Sequence, residues 1–222
     1  MLFFLATTIV APHLAPMSAL SPSDPTETAT LQGRLLVAMP GLDDPNFDHS
    51  VIYLCQHDEE SAMGIILNQP IAGLSFGRMM EELGIEITDD RQTEHSIYNG
   101  GPVQNDRGFV LHSLDYFIDD ITLPLNVDPE ALEVRRGVGL TVSRDILVDL
   151  SRGTGPSKSL IALGYAGWGA GQLEAEIRDN AWLVAPASHE ILFSHDPEHI
   201  WQSALKTLGI APEHLSHLSG KA

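Results

Sequence analysis

The chain is poor in basic residues, in cysteine and in aromatic rings, and each shortage closes off a class of function. Twelve Lys and Arg stand against 30 Asp and Glu, a formal net charge of −18. That charge repels phosphate backbones and anionic lipid surfaces, so neither direct nucleic-acid binding nor membrane attachment is expected. Its plain consequence is solubility. A single cysteine, Cys55, cannot form an internal disulfide or a zinc site built on several thiolates, and it fits a reducing cytoplasm. No apolar run reaches the ~20 residues of a membrane-spanning helix.

The familiar catalytic motifs are missing as well. Gly167, Gly169 and Gly171 spell GxGxG, but Gln172 stands where the dinucleotide fingerprint needs its third glycine, and no Lys follows as in a phosphate loop. Glu174 and Glu176 would repel a phosphate at the start of the next helix. His189-Glu190 fails to complete HExxH because Phe193 takes the place of the second His. His195 and His199 flank the helix start Asp196-Pro197 and are not expected to share a helical face. Ser203 and Lys206 match SxxK without its companion motifs, and no GxSxG elbow occurs. No metal site and no cofactor is expected.

What remains is a chain with 43% apolar residues, long enough for one sizeable core. Residues 1–30 lack Lys and Arg and contain Pro12, Pro16, Pro22 and Pro25, so they read as a disordered leader or a mis-assigned start ahead of Met17, against the rival reading of a signal peptide. A single domain is expected over 31–212, with a flexible tail over 213–222. RLLVAM from Arg34 predicts a buried strand, and Ser50 to Pro70 predicts a hairpin turning at DEES. Ser75 as cap, Phe76, Met79, Met80 and Leu83 in register and Gly84 as stop predict a short amphipathic helix. Strands are expected at Ser96–Asn99, Gly108–His112, Val138–Val142 and Ser159–Tyr165, and helices over Ser143–Ser151, through Leu173, Ile177 and Ala181, and from Pro197 to Gly209. Hairpins interspersed with single helices indicate an α+β fold.

Two places invite a chemical reading. Four glycines bracket Trp168, and a rigid loop over Tyr165–Gln172 would offer Tyr165 and Trp168 as exposed aromatics to a partner. The competing reading is that the glycines allow unusual backbone angles and close packing around Trp168. Cys55 and His57 stand two apart on a predicted strand, so their side chains are expected on one face. A thiolate chemistry would use Cys55 with His57 or His112 as base and Asn68 and Arg107 as polar anchors. The competing reading there is a buried, inert thiol.

Four blocks together, GRLLVAMPGLDDPNFDHS from Gly33, SVIYLCQHDEESAMGIILNQP from Ser50, NGGPVQNDRGFVLH from Asn99 and GYAGWGAGQLEAEIRDNAWLVAPA from Gly164, resemble the YqgE/AlgH family over about residues 31–212. The resemblance implies a mixed, strongly bent β-sheet forming a pseudo-barrel with flanking helices, in a cytosolic protein. Members carry the label of transcriptional regulators, and no catalytic set comes with that label. The preferred reading is a non-enzymatic regulatory module that binds an unidentified protein or small molecule through Gly100, Gly101 and Pro102 together with Tyr165, Gly167, Trp168, Gly169, Gly171 and Gln172. The alternative is a thiol-dependent enzyme or redox sensor using Cys55.

Overall fold

The computed structural model describes residues 30–40, 42, 44–125 and 137–215. The expectations for residues 1–29 and 216–222 lie outside the described residues. Strands β1 (Arg34–Ala38), β2 (Val51–His57), β3 (Ser61–Ile66) and β4 (Pro70–Ser75) lead into helix α1 (Phe76–Leu83). Strands β5 (Ser96–Asn99), β6 (Val103–Ser113), β7 (Thr122–Leu125) and β8 (Val138–Thr141) precede α2 (Arg144–Ser151). The long β9 (Ser159–Gly169), α3 (Gln172–Arg178), β10 (Trp182–Pro186), α4 (His189–Leu192), α5 (Pro197–Thr207) and α6 (Pro212–Leu215) complete the order.

The strands form a curled, mostly antiparallel half-barrel in the order β10-β1-β2-β3-β9-β6-β8-β7, and β4 joins through β5. The α+β class and the bent sheet expected from sequence are therefore the observed ones. β9 is the spine. Its second half pairs with β3, from Gly64↔Ala166 to Ser61↔Gly169. Its first half pairs antiparallel with β6 and parallel with β5. Its alternate residues enter clusters on opposite faces of the sheet, Leu160 and Ala162 on one and Ile161 and Leu163 on the other, which accounts for the continuous apolar run in LIALGYA.

Three apolar clusters fill the fold. The concave interior gathers Leu35, Tyr53, Ile65, Leu111 and Leu140 under Ile200, Trp201, Ala204 and Leu205 of α5. One convex patch, with Leu36, Ile52, Trp168 and Trp182, is covered by Leu173 and Ile177 of α3. The other, with Val110 and Ile161, is covered by Phe76, Met79 and Met80 of α1 and Ile146, Leu147 and Leu150 of α2. At about 1.5–3 kcal/mol per fully buried large apolar side chain, those three α1 residues alone hold the helix on the sheet.

The caps read from sequence are formed. The Ser75 hydroxyl accepts the Arg78 N–H, and Gly84 takes the left-handed conformation at φ 64°. Ser143 caps α2 through the Asp145 N–H, Pro197 opens α5 and Gly209 follows it at φ 70°. Other expectations shift. Residues 165–169 are strand, because β9 continues through the glycines to pair with β3. α3 stops at Arg178, and Asn180 with φ 59° turns the chain so that Ala181 packs on the sheet from outside the helix. The boundary at 212 is exceeded, since α6 carries Leu215 into the interior at 5% exposure.

Candidate functional site

The glycine-rich segments meet in a tight seam. Gly101, at φ +146°, lies so close to β9 that a Cβ there would stand 2.2 Å from the Tyr165 carbonyl carbon. Gly164, at φ +76°, answers from the other side, where a Cβ would stand 2.4 Å from the Gly101 carbonyl oxygen. Both positions demand glycine twice over, by conformation and by contact. The Gly100 N–H donates to the Leu163 carbonyl at 2.7 Å and its own carbonyl accepts from Ile66 at 3.0 Å, tying β5, β9 and β3 together. The structure thus brings Gly100 and Gly101 against Tyr165, with Pro102 exposed beside them.

Trp168 lies elsewhere than expected. It is 5% exposed and packs edge to face with Trp182 at 6.0 Å between ring centres. Both indole N–H groups donate to one oxygen of Glu176, each at 2.8 Å. The other oxygen of Glu176 accepts from the Gln172 amide at 2.9 Å, and the Gln172 carbonyl oxygen accepts the Gly169 N–H at 3.1 Å. Glu176 is therefore the hydrogen-bond acceptor of a buried tryptophan pair, not an ornament of the helix dipole. Tyr165 is half-buried against Phe109, while Gly167, Gly169, Gly171 and Gln172 remain exposed.

Cys55, His57 and His112 are dispersed over three layers. Leu54 pairs with Gly64 and Gln56 with Met63, so Cys55 is an extra residue in the ladder. Such a bulge inverts the alternation beyond it. Cys55 faces the interior cluster, and its thiol donates weakly to the Tyr53 carbonyl. His57 emerges on the opposite face, where its Nδ1 accepts the Leu31 N–H at 3.1 Å and its Nε2–H donates to Glu174 at 2.7 Å. The shared face expected for the two residues fails for this reason. Burial pushes the thiol far above its ordinary range and leaves no thiolate for chemistry. Its 1% exposure denies a substrate access.

His112 packs edge to face with Tyr116 and has no exposed surface. Its Nδ1–H donates to the Ser113 carbonyl at 3.0 Å, so Nε2 accepts from the Thr141 hydroxyl at 2.9 Å. Thr122 in turn donates to Thr141 at 2.8 Å and accepts the Ile118 N–H at 3.1 Å. Every member of this chain has its partner. Burial holds the imidazole below its usual range, in the neutral form. Asn68 bridges Val51 and His49, and Arg107 reaches Gln104 and lies over Phe109. Neither bonds to the thiol, whose partner is the Tyr53 carbonyl.

A cleft that the sequence did not mark opens beside the start of β9. It has a volume of about 210 Å³ and is lined by His95, Ser96 and Tyr98 of the β5 region, Ser159 and Leu160, and Phe193, Ser194 and His195 between α4 and α5. The two imidazoles face each other at 5.2 Å between ring centres. Burial, and then the neighbouring His195, lowers the His95 pKa. The two residues are a hundred positions apart, so no spacing pattern announces them.

Comparison with known proteins places the chain among relatives. A family model described as DUF179, AlgH-like, matches residues 35–213. A UPF0301 protein of Thioalkalivibrio sulfidiphilus is 48% identical over 197 residues, covering 89% of this chain and 98% of the relative. One from Caulobacter vibrioides is 47% identical, covering 86% and 94%. The solution structure of the AlgH protein from Pseudomonas aeruginosa is 43% identical with a TM-score of 0.66, covering 91% of this chain and all of that one. A crystal structure from Corynebacterium diphtheriae, 19% identical at a TM-score of 0.59, shares the fold. The match across nearly all of the described body, in sequence and in fold, shows that the chain belongs to the AlgH-like family of UPF0301 proteins.

Proposed function

We propose that the protein is a non-enzymatic regulatory module of the cytoplasm that acts by binding a protein or small-molecule partner. The observation that carries this reading is the fate of its reactive groups: Cys55 is sealed in the interior, and His57 and His112 are each committed to protein hydrogen bonds. With those groups spent on structure, a binding role is the economical one. The charge of −18 argues for a partner other than nucleic acid, so regulation would run through protein or metabolite contacts. No helix among the described residues is long and apolar enough to cross a membrane.

The binding surface we assign is the exposed strip of Pro102, Gly167, Gly169, Gly171 and Gln172 beside half-buried Tyr165. It is held rigid by the seam beneath it, and a preformed surface loses little entropy on binding. Trp168 contributes as its support from below. The test is crosslinked capture from native cytosol with wild type, Tyr165→Ala and Gly169→Arg as baits. Nothing lies within 4 Å of a Cβ at Gly169, so the arginine extends outward without disturbing the core. A partner retained by wild type and lost by Gly169→Arg supports the strip. Identical recovery by all three folded baits overturns it.

A further inference from the structure

We infer that the cleft between His95 and His195 is a binding site for a divalent transition-metal ion of the Zn²⁺, Ni²⁺ and Cu²⁺ type. The two side chains come from separate elements that the fold fixes independently. His95 is anchored where its carbonyl accepts the Phe76 N–H at 2.8 Å, at the junction of β5 and α1. His195 is held in the short connection between α4 and α5, where the next residue's N–H bonds to the Ser194 hydroxyl at 3.1 Å.

Three observations converge on a cation. First, the spacing fits: with metal–nitrogen bonds of about 2.0 Å, two imidazoles sharing one tetrahedral ion have ring centres about 5 Å apart, and these stand at 5.2 Å with planes inclined by 47°. Second, the rings are available, in contrast to His57 and His112, since neither ring has a hydrogen-bond partner among the described residues. Third, the electrostatics select the sign. The net charge of −18 and the Glu94 carboxylate in the lining attract a cation and oppose an anion at the same place. Imidazole ligands favour the borderline ions over Mg²⁺ and Ca²⁺, which take oxygen.

No third His, Cys, Asp or Glu among the described residues closes the set. The ion is therefore held by two protein nitrogens, with its other positions left to water or to an incoming anionic group. Such an open site differs in kind from a closed structural site.

The experiment titrates the metal-free full chain with Zn²⁺ by calorimetry, and then with Cu²⁺ while recording electron paramagnetic resonance. The expected result is one ion per chain, Cu²⁺ tighter than Zn²⁺, nitrogen coupling in the Cu²⁺ spectrum and no heat from Mg²⁺. His95→Ala and His195→Ala each weaken binding about tenfold or more. Both side chains are exposed, so the variants fold, and His95→Gln serves as a second, shape-conserving variant. Binding of equal strength in wild type and all variants would place the ion at other histidines and overturn the assignment. So would the lack of saturable Zn²⁺ binding below millimolar concentration.

Discussion

The histidine cleft opens at the start of β9 and the glycine seam crosses its middle, and they differ in what their polar groups are doing. In the seam, Gly100, Gly101 and Gly164 pack backbone on backbone, and Glu176 satisfies two indole N–H groups with one oxygen. In the cleft, two imidazoles face each other without hydrogen-bond partners among the described residues. The seam carries the most recognisable sequence in the chain, and the cleft carries none. Packing of this closeness restricts residue type position by position and leaves a motif. A site assembled from residues a hundred apart leaves only scattered letters.

If the seam is the structural keystone, its variants must cost the most. Gly164→Ala sets a Cβ 2.4 Å from the Gly101 carbonyl oxygen at a backbone φ of +76°. Strain and overlap together should destabilise by about 4 kcal/mol or more. Urea unfolding measures this, and a loss under about 1 kcal/mol would show that the sheet relaxes there and that the contrast is overdrawn. Glu176→Ala comes next. It leaves two buried indole N–H groups without an acceptor, at a cost of about 2–4 kcal/mol, and it should shift the tryptophan fluorescence because Trp168 and Trp182 lose the same charge.

His112 sharpens the comparison from the side of the imidazoles, because it is buried with both nitrogens occupied. Its folded pKa is lowered from 6.5 chiefly by burial. Below 6.5 the unfolded chain takes up a proton that the folded one resists. The contribution to stability is therefore full above that pH and is lost as the pH falls from there toward the depressed folded value. Asp115, lowered by the Ser113 hydroxyl and by Ser157 against the cost of desolvation, acts in a separate window below its ordinary 3.8. The expected outcome is a fall in urea midpoint between about pH 7.5 and pH 5.5 that His112→Gln makes smaller, the remainder coming from His95, whose pKa is also lowered.

The elements that were legible in the sequence were those governed by local chemistry. Ser75 and Gly84, Ser143, and Pro197 with Gly209 mark helix ends by caps and backbone angles that depend on neighbours a few residues away. The short strands β4, β7 and β10 were not legible, since Pro70, Pro124 and the half-exposed WLVAP pattern carry no clear alternation. The Cys55–His57 pairing misled because one extra residue in β2 inverts its faces, and nothing in VIYLCQH signals a bulge. Trp168 misled for a related reason: glycines around an aromatic suggest a rigid loop that exposes the ring, yet here they thin the strand so that β3, β6 and β9 can approach. Of the candidate site, the seam was readable as a cluster while its burial was not.

The smallest expected effect lies in the cleft, and it discriminates most finely between the two regions. His95 and His195 are exposed, make no hydrogen bonds through their rings among the described residues, and pair as tilted rings. Replacing both by alanine removes a ring contact and two partly solvated imidazoles. Surface changes of that kind stay within about 0.5 kcal/mol of wild type. Burial and then His195 lower the His95 pKa, so removing the pair relieves a small cost on acidification, in the same direction as His112→Gln. Denaturant unfolding of the metal-free double variant at neutral pH reads the difference directly. A loss of about 2 kcal/mol would make the histidine pair a structural contact like those of the seam, whereas an unchanged midpoint leaves the two rings as groups that the fold positions without needing them.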